Sequence, residues 1–392
     1  MRIIYIHQYY CRPDQGGAIR SYHLTQGLAK EGIEVEVITA HNDKNYKLAN
    51  DGKVKVHYLA VPYSSGFSTI ERVHAFYKFY NKALKLIPKL ASPDLFFISS
   101  TPLSTGWIGT WAKRTMGIPY IFEVRDLWPE APFQVLQIKN PIIKKLLYRM
   151  ELKIYQEADK IIALSPGVQR YIQQLFPNKM VELIPNFSDV SFFVPREKTA
   201  DARNFIKQPL TILYSGAIGK VNGLDQYLDL ASEANKLDKN WRFELMGTGN
   251  ELKRLKKKAT QRQLKNVYFI PFGDKTSVKT QLESADFAYI SFLPLSILEH
   301  SSPNKFFDAL SMGLPVIVNF KGWVHDLIIK EEIGIVHNPE NNSLLIQKLE
   351  NLEKNPQAIY QMGQRSRKLA ETRFDKRKSQ RKLLALINRK YQ

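Results

Sequence analysis

The stretch Glu299-His300-Ser301-Ser302-Pro303-Asn304-Lys305-Phe306-Phe307-Asp308-Ala309-Leu310-Ser311-Met312-Gly313-Leu314-Pro315-Val316-Ile317-Val318 carries the most information in this chain. It reads as a polar loop, a helix opened by Pro303, a stop at Gly313 and a buried apolar strand. A polar loop feeding a helix N-terminus leaves backbone N–H groups free, and with the helix dipole they make an anion site. Lys305 lies in the first turn, where the dipole favours an acid. A cation there makes sense when an anion is shared between its ammonium and those N–H groups. Asp308, one turn further on, is placed to accept hydrogen bonds from sugar hydroxyls. A nucleotide or a nucleotide-sugar, with a diphosphate and a ribose, meets both demands.

Outward from this stretch the chain alternates. In the first half, strand-like runs fall at Ile3–Ile6, Val35–Thr39, Val54–Leu59, Leu95–Ser99, Tyr120–Val124, Ile161–Leu164 and Val181–Ile184. Helix-like stretches lie between them, at Ala18–Glu31, Ile70–Leu90, Leu103–Met116 and Ile142–Ala158. A break follows at Pro185-Asn186-Phe187-Ser188-Asp189, then a polar, charged stretch runs to Pro209. The alternation resumes with strands at Leu210–Tyr214, Arg242–Met246, Val267–Ile270, Phe287–Ile290, Val316–Val318 and Ile333–Val336. Helices near Ser343–Leu352, Pro356–Glu371 and Lys376–Lys390 close the chain. The pattern predicts an α/β protein of two halves, each a doubly wound parallel sheet, with ligands at the carboxyl ends of the strands in the cleft between them.

Size and charge agree with this. A chain of 392 residues exceeds one ordinary core, and its hydrophobic content of 44% suits folded domains. Met1-Arg2-Ile3-Ile4-Tyr5-Ile6 turns polar too quickly for a signal peptide and reads as a first strand. No run reaches the roughly 18–20 apolar residues of a membrane span. The single cysteine, Cys11, cannot form an intrachain disulfide, which suits a reducing cytosol, and structural zinc is not expected. The net charge of +20 calls for an anionic partner: nucleic acid, an anionic membrane surface or an anionic substrate. Eleven Lys/Arg against two acids lie between Arg365 and Lys390, and seven more cations between Lys253 and Lys265. Tyr77-Lys78-Phe79-Tyr80 and Ile142-Ile143-Lys144-Lys145-Leu146-Leu147-Tyr148-Arg149 mix cations with apolar residues, as interfacial helices do, although a solvated face over an ordinary core reads the same way. No nucleic-acid motif is visible, and no nucleic acid is expected as partner.

Five turns carry candidate chemistry. Gly16 and Gly17 follow the first strand, with Arg20 one turn into the helix, where it can reach the same ligand. Glu123-Val124-Arg125-Asp126-Leu127-Trp128-Pro129-Glu130 ends a buried strand with charges that project into a cleft, although Arg125 and Asp126 can equally form a structural pair. Tyr214-Ser215-Gly216-Ala217-Ile218-Gly219-Lys220-Val221-Asn222-Gly223 is a glycine loop with a lysine, neither a Walker loop nor a clean dinucleotide fingerprint. Met246-Gly247-Thr248-Gly249 and Pro271-Phe272-Gly273 are further strand-end turns suited to holding a base edge. No Asp-x-Asp pair occurs anywhere, so lysines and amides replace a metal at the diphosphate and no essential metal is expected.

In this order the motifs resemble the GT-B glycosyltransferases of the retaining, family-4 type over nearly the whole chain. The nearest subgroup is the bacterial O-antigen and capsule transferases of N-acetylfucosamine type, matched by His7-Gln8-Tyr9-Tyr10, Val124 to Glu130 and Ser302-Pro303-Asn304-Lys305. The resemblance implies two Rossmann-like domains facing a cleft, with acceptor binding in residues 1–190, a linker over 191–208 and donor binding in 209–375. The last helix, 376–392, is expected to return to the first domain. It implies sugar transfer with retention from a nucleoside diphosphate-sugar, UDP-linked and N-acetylated. The acceptor would be a polyprenyl-diphosphate-linked saccharide, handled by a cytoplasmic enzyme peripheral to the inner membrane. Gly216, Gly219, Lys220, Asn222, Gly247, Phe272, Ser301, Ser302, Lys305 and Asp308 would bind the donor. Gly16, Gly17, Arg20 and Arg125 would line the acceptor side, and Asp126 would orient or deprotonate the acceptor hydroxyl.

The chain departs from the family pattern in three places. The family has two glutamates eight positions apart here; this chain has His300, beside Glu299, and Asp308. Glu299 and His300 are therefore both candidates near the anomeric carbon. The family's Arg and Lys of the second glycine loop are Ala217 and Asn222, so Lys220 and Lys305 would substitute, with the amides of Gly216 and Ser302. Arg125 stands where many members have a histidine. An epimerase of the same two-domain layout, or a basic nucleic-acid-binding protein, remains the alternative.

Overall fold

The computed structural model describes residues 1–17, 19–64, 66–136, 138–195 and 209–389. The first sheet contains β1 (Arg2–Ile6), β2 (Glu34–His41), β3 (Lys47–Asp51), β4 (Val54–Ala60), β5 (Leu95–Ser99), β6 (Tyr120–Val124), β7 (Lys160–Ala163) and β8 (Val181–Leu183), in the order β3-β4-β2-β1-β5-β6-β7-β8. The second contains β9 (Leu210–Ser215), β10 (Trp241–Met246), β11 (Val267–Ile270), β12 (Phe287–Ile290), β13 (Val316–Val318) and β14 (Gly334–Val336), in the order β11-β10-β9-β12-β13-β14. Every strand pair is parallel except β3 with β4. This is the GT-B architecture, two Rossmann-like α/β units.

The strands are apolar runs because both faces are covered. In the first half one face packs on the helices Thr69–Leu86, Gly106–Met116 and Pro141–Glu157, through Phe79, Ile108 and Ile154. The other face packs on the helix Arg20–Lys30 and on the last helix, Lys376–Asn388, which places Leu383, Leu386 and Ile387 among Tyr5, Leu24 and Leu28. Gln380 Nε2 donates to His23 O at 2.7 Å, and Lys160 Nζ donates to Leu386 O at 2.7 Å. The chain end therefore completes the first core; residues 390–392 lie outside the described residues.

Three local features differ from the sequence reading. β3 and β4 form an antiparallel hairpin about Asp51-Gly52, with Gly52 at φ +61°. Lys47 and Asn50 make this edge strand read as loop, and polar residues are what an exposed sheet edge tolerates. A short helix, Glu130–Leu136, follows Pro129. Val190 and Phe193 are buried in the second half's core, and Arg367 donates to both of their carbonyls. The crossing between halves thus lies at Ser188, ahead of the expected linker, whose residues 196–208 lie outside the described residues.

Each sheet reverses its winding next to its first strand, between β1 and β5 and between β9 and β12. Ligands of doubly wound sheets sit at that switch point, so the loops after β1, β6, β9, β10 and β11 meet in one place. Truncating Leu383 to Ala should destabilise the protein by about 2–5 kcal/mol, as large-to-small changes in packed cores do. Urea unfolding would read this; a variant as stable as the parent would mean that the last helix is not part of the first core.

Candidate active site

A cavity of about 720 Å³ opens where these loops converge, with Gly16, Gly17 and Asp126 on the first-half side and Gly216, Gly247 and Lys305 on the second. The wall between β9 and β10 is backbone on backbone. Gly247 has φ +149°, and a Cβ there would lie 1.9 Å from Gly216 O. Gly216 N–H donates to Met246 O at 2.9 Å, so this amide is already used and is not the free donor expected from the sequence. Across the cleft a Cβ on Gly16 would meet the Phe272 ring at 2.6 Å, so the two halves touch at that glycine.

The helix Asn304–Ser311 points its N-terminus at the cavity, with Pro303 as N-cap and Lys305 in its first turn. Lys305 Nζ donates to Tyr214 Oη at 2.7 Å and lies 3.9 Å from the centre of that ring. No carboxylate pairs with it among the described residues. Burial without a counter-ion lowers its pKa to about 7. A Cβ on Gly216 would come within 3.2 Å of Lys305 Nζ, so a glycine there leaves the ammonium open to the cavity.

Asp308 lines the same cavity but is not bare: Lys275 Nζ donates to its Oδ2 at 2.6 Å. Burial raises the Asp308 pKa and Lys275 offsets part of that rise. Lys275, only 8% exposed, escaped the sequence reading. Asp274 caps the helix Lys275–Ser284 by accepting from Ser277 N–H, so the lysine after it reads as an ordinary surface residue of a first turn.

On the facing side Asp126 lies beyond β6 with its side chain exposed to the cleft. The surrounding protein still limits hydration of the carboxylate and raises its pKa, against Arg125 and a hydrogen bond from Thr101. Arg125 is not among the residues that line this cavity; it is partly exposed next to Asp126, and its Nη1 lies 3.1 Å from His7 Nε2.

The structure gathers Gly16, Gly17, Asp126, Gly216, Gly219, Asn222, Gly247, Phe272, Lys305 and Asp308 around one cavity. Other expected residues go elsewhere. Arg20 is a correction: it is 2% exposed, its Nε donates to Glu123 Oε1 at 2.8 Å, and its Nη1 and Nη2 donate to Pro185 O and Ile184 O. Its guanidinium is spent inside the first half and reaches no ligand. Ser301 O accepts from Trp323 Nε1 at 2.7 Å, and Ser302 Oγ accepts from Asn186 N–H at 3.2 Å, so both tie the helix N-terminus down rather than line the cavity. His300 packs against Gly167, where an added Cβ would meet Nδ1 at 2.0 Å, and Glu299 lies behind it against Gly322. Neither lines the cavity, because the turn Ser296–His300 wedges Ile297 and Leu298 into the first half's core. Lys220 is exposed on the rim of the glycine loop, outside the cavity lining.

Residues 15–186 match the family described as Glycosyl transferase 4-like domain, and residues 195–369 match Glycosyl transferases group 1. A protein of Haemophilus influenzae named as an uncharacterized glycosyltransferase is 23% identical over 362 residues, covering 91% of this chain and 92% of that protein. Among solved structures, sucrose-phosphate synthase from Thermosynechococcus elongatus superposes with a TM-score of 0.78 at 18% identity, over 98% of each chain. Anabaena HepE, solved with UDP and glucose, gives a TM-score of 0.69 at 14% identity, over 99% of each chain.

An anion seated beside Lys305 will raise its depressed pKa. Below about pH 7 the amine is already charged and binding imports no proton; above it, binding must take one up. Pyrophosphate affinity should therefore fall by up to about tenfold per pH unit above 7, with proton uptake approaching one per site at pH 8. Calorimetry in two buffers of different ionisation enthalpy measures this. Proton uptake unchanged in Lys305→Met would show that another group is responsible.

Proposed function

Because the chain is a GT-B glycosyltransferase with a 4-like first half and a group 1 second half, we propose that it transfers a sugar, with retention, from a UDP-sugar to a polyprenyl-diphosphate-linked saccharide at a membrane face. The observation that carries the donor half of this reading is Lys305: a partly buried ammonium with no carboxylate partner among the described residues, in a glycine-walled cavity, at a helix N-terminus. Asp308, braced by Lys275, is the group for ribose hydroxyls. UDP in the structurally similar HepE complex supports uracil as the base.

In this reaction the bond from the anomeric carbon to the diphosphate oxygen breaks, and the acceptor oxygen bonds to that carbon on the same face. Negative charge grows on the leaving diphosphate, where Lys305 and the first-turn amides stabilise it. Asp126 stands opposite, at the acceptor side, to orient the incoming hydroxyl and receive its proton. Ammonium groups and amides carry out the charge neutralisation, so no divalent metal is required. With UDP-sugar and a polyprenyl-diphosphate saccharide, turnover should persist in EDTA, and the product linkage should show the donor's anomeric configuration by NMR. Asp126→Asn should reduce turnover by about 10²–10⁴-fold, the usual contribution of a general base, with UDP binding kept. Magnesium dependence, or a new UDP-sugar formed without acceptor, would sink the reading; the latter is epimerase behaviour.

The membrane side of the proposal rests on one surface. Ile70, Val73 and Tyr77 project from the helix Thr69–Leu86, and Ile142 and Leu146 from Pro141–Glu157, with Ile70 at 82% and Ile142 at 77% exposure. Both helices flank Gly106–Met116 on the same side of the sheet. Lys145 and Arg149 are exposed on the same helix as Ile142 and Leu146, and Lys85 and Lys89 at the far end of the first. Apolar tips with cations on the same helices match an anionic bilayer, near which each cation contributes about 1 kcal/mol. No described helix is long and apolar enough to cross a membrane. Sedimentation with phosphatidylglycerol vesicles should fall at least tenfold for Ile142→Glu/Leu146→Glu while phosphatidylcholine vesicles bind neither protein; equal binding of parent and variant to anionic vesicles would remove this surface.

A further inference from the structure

The phrase His7-Gln8-Tyr9-Tyr10 takes no part in the donor site, yet His7 is 2% exposed and joined to the cleft. Its Nδ1 lies 2.9 Å from Ser21 Oγ and its Nε2 lies 3.1 Å from Arg125 Nη1. A guanidinium only donates, so Nε2 must be the acceptor and Nδ1 carries the proton, donated to Ser21. Tyr5 Oη donates to the same Ser21 oxygen at 3.0 Å, and the Tyr5 ring stacks on Phe97 at 4.5 Å between centroids. Burial and the neighbouring guanidinium both keep His7 neutral.

This is an unusual mount for an arginine. Of the five N–H groups of Arg125, one meets His7; among the described residues no carboxylate lies within ion-pair distance and no other acceptor takes the remaining side-chain N–H groups. Arg20, by contrast, is neutralised by Glu123 and two carbonyls. Arg125 is only partly buried, and its charge is felt at Cys11, whose Sγ is 3.7 Å from where a Cβ of Gly17 would stand, and at Asp126. Gly17 and Asp126 both line the cavity on the side opposite Lys305. A rigidly held, unpaired fork of donors is what oxyanion recognition uses.

We propose that Arg125, braced by His7, binds an oxyanion of the acceptor and so restricts the enzyme to acceptors carrying a negative group near the reacting hydroxyl. Two sources share that chemistry: the diphosphate of a lipid-linked saccharide and the carboxylate of an acidic sugar. The inference rests on the transferase reading for the word acceptor, but its physical content, a second anion site across the cleft from Lys305, stands apart from it.

The test measures binding of farnesyl diphosphate and of methyl glucuronide, by calorimetry, to the full chain saturated with UDP, and to Lys305→Ala without UDP. In both proteins one equivalent of a probe should bind, and Arg125→Gln should weaken it tenfold or more, while UDP affinity changes less than twofold. Arg125→Lys should recover part of the loss. Preference for farnesyl diphosphate assigns the site to a phosphate, preference for the glucuronide to a carboxylate. If neither anion binds beside UDP or to Lys305→Ala, or if Arg125→Gln binds as the parent does, the inference is overturned. Failure of UDP itself to bind would instead count against the donor reading, and the Lys305→Ala measurement would still decide the second site.

Discussion

The chain passes between its two halves at Ser188 and again at Asp375, and these two strands of crossing backbone are bonded to each other. Ser188 N–H donates to Phe374 O at 2.7 Å, and Lys376 N–H donates to Ser188 O at 2.9 Å. Everything at the cleft is referred to this junction. Ser188 Oγ donates to Phe307 O at 3.0 Å inside the helix that bears Lys305. Two residues earlier, Asn186 N–H donates to Ser302 Oγ just before that helix. Asp189 accepts from Lys376 at 2.6 Å and lies 3.4 Å from His23 Nε2 of the first helix. One short segment thus fixes the helix N-terminus relative to the first sheet, and with it the distance across which a donor and an acceptor would meet.

Arg20 has its meaning in the same frame. Its bonds to Ile184 O and Pro185 O satisfy carbonyls that leave the sheet at β8, and its bond to Glu123 anchors the end of β6. Glu123 also accepts from Ser99 Oγ at 2.7 Å, so β5, β6, the first helix and the crossing segment share one buried ion pair. Such a pair contributes little net stability, since desolvation offsets attraction, but loss of one partner strands the other charge at a cost of about 3–5 kcal/mol. Its value is geometric. It sets where Arg125 and Asp126 emerge, two and three residues beyond Glu123.

The fold was legible because parallel strands covered on both faces must be continuous apolar runs, and Ile3-Ile4-Tyr5-Ile6 or Val316-Ile317-Val318 allow little else. The β3 edge was not, because its polar residues are compatible with loop and with exposed strand. At the site, Lys305 was legible as an exception to dipole preference, and the glycines as places where backbones approach. Arg20 was misassigned because sequence spacing cannot show that a side chain one turn into a helix meets a carboxylate 103 residues away. His300 and Glu299 were assigned by family position, while the apolar pair Ile297 and Leu298 pulls that turn into the other half's core. Lys275 was hidden because a capping aspartate before it explains the local sequence fully.

The two cleft cations answer different physical demands. Lys305 has lost solvent without gaining a counter-ion, so near neutral pH the empty site carries only part of a charge. In the proposed reaction, charge accumulating on a leaving diphosphate would offset the desolvation that depresses this pKa and so favour the ammonium form. A gain realised as charge develops lowers the barrier, whereas equal attraction to ground and transition states does not. An arginine at Lys305 would stay charged throughout and forgo that difference. Across the cleft the demand of the proposed reaction is positional: an acceptor's fixed oxyanion would need a permanent charge with a set direction. A guanidinium held by a neutral histidine would supply that, with Lys on one wall answering a charge that changes and Arg on the other a charge that does not.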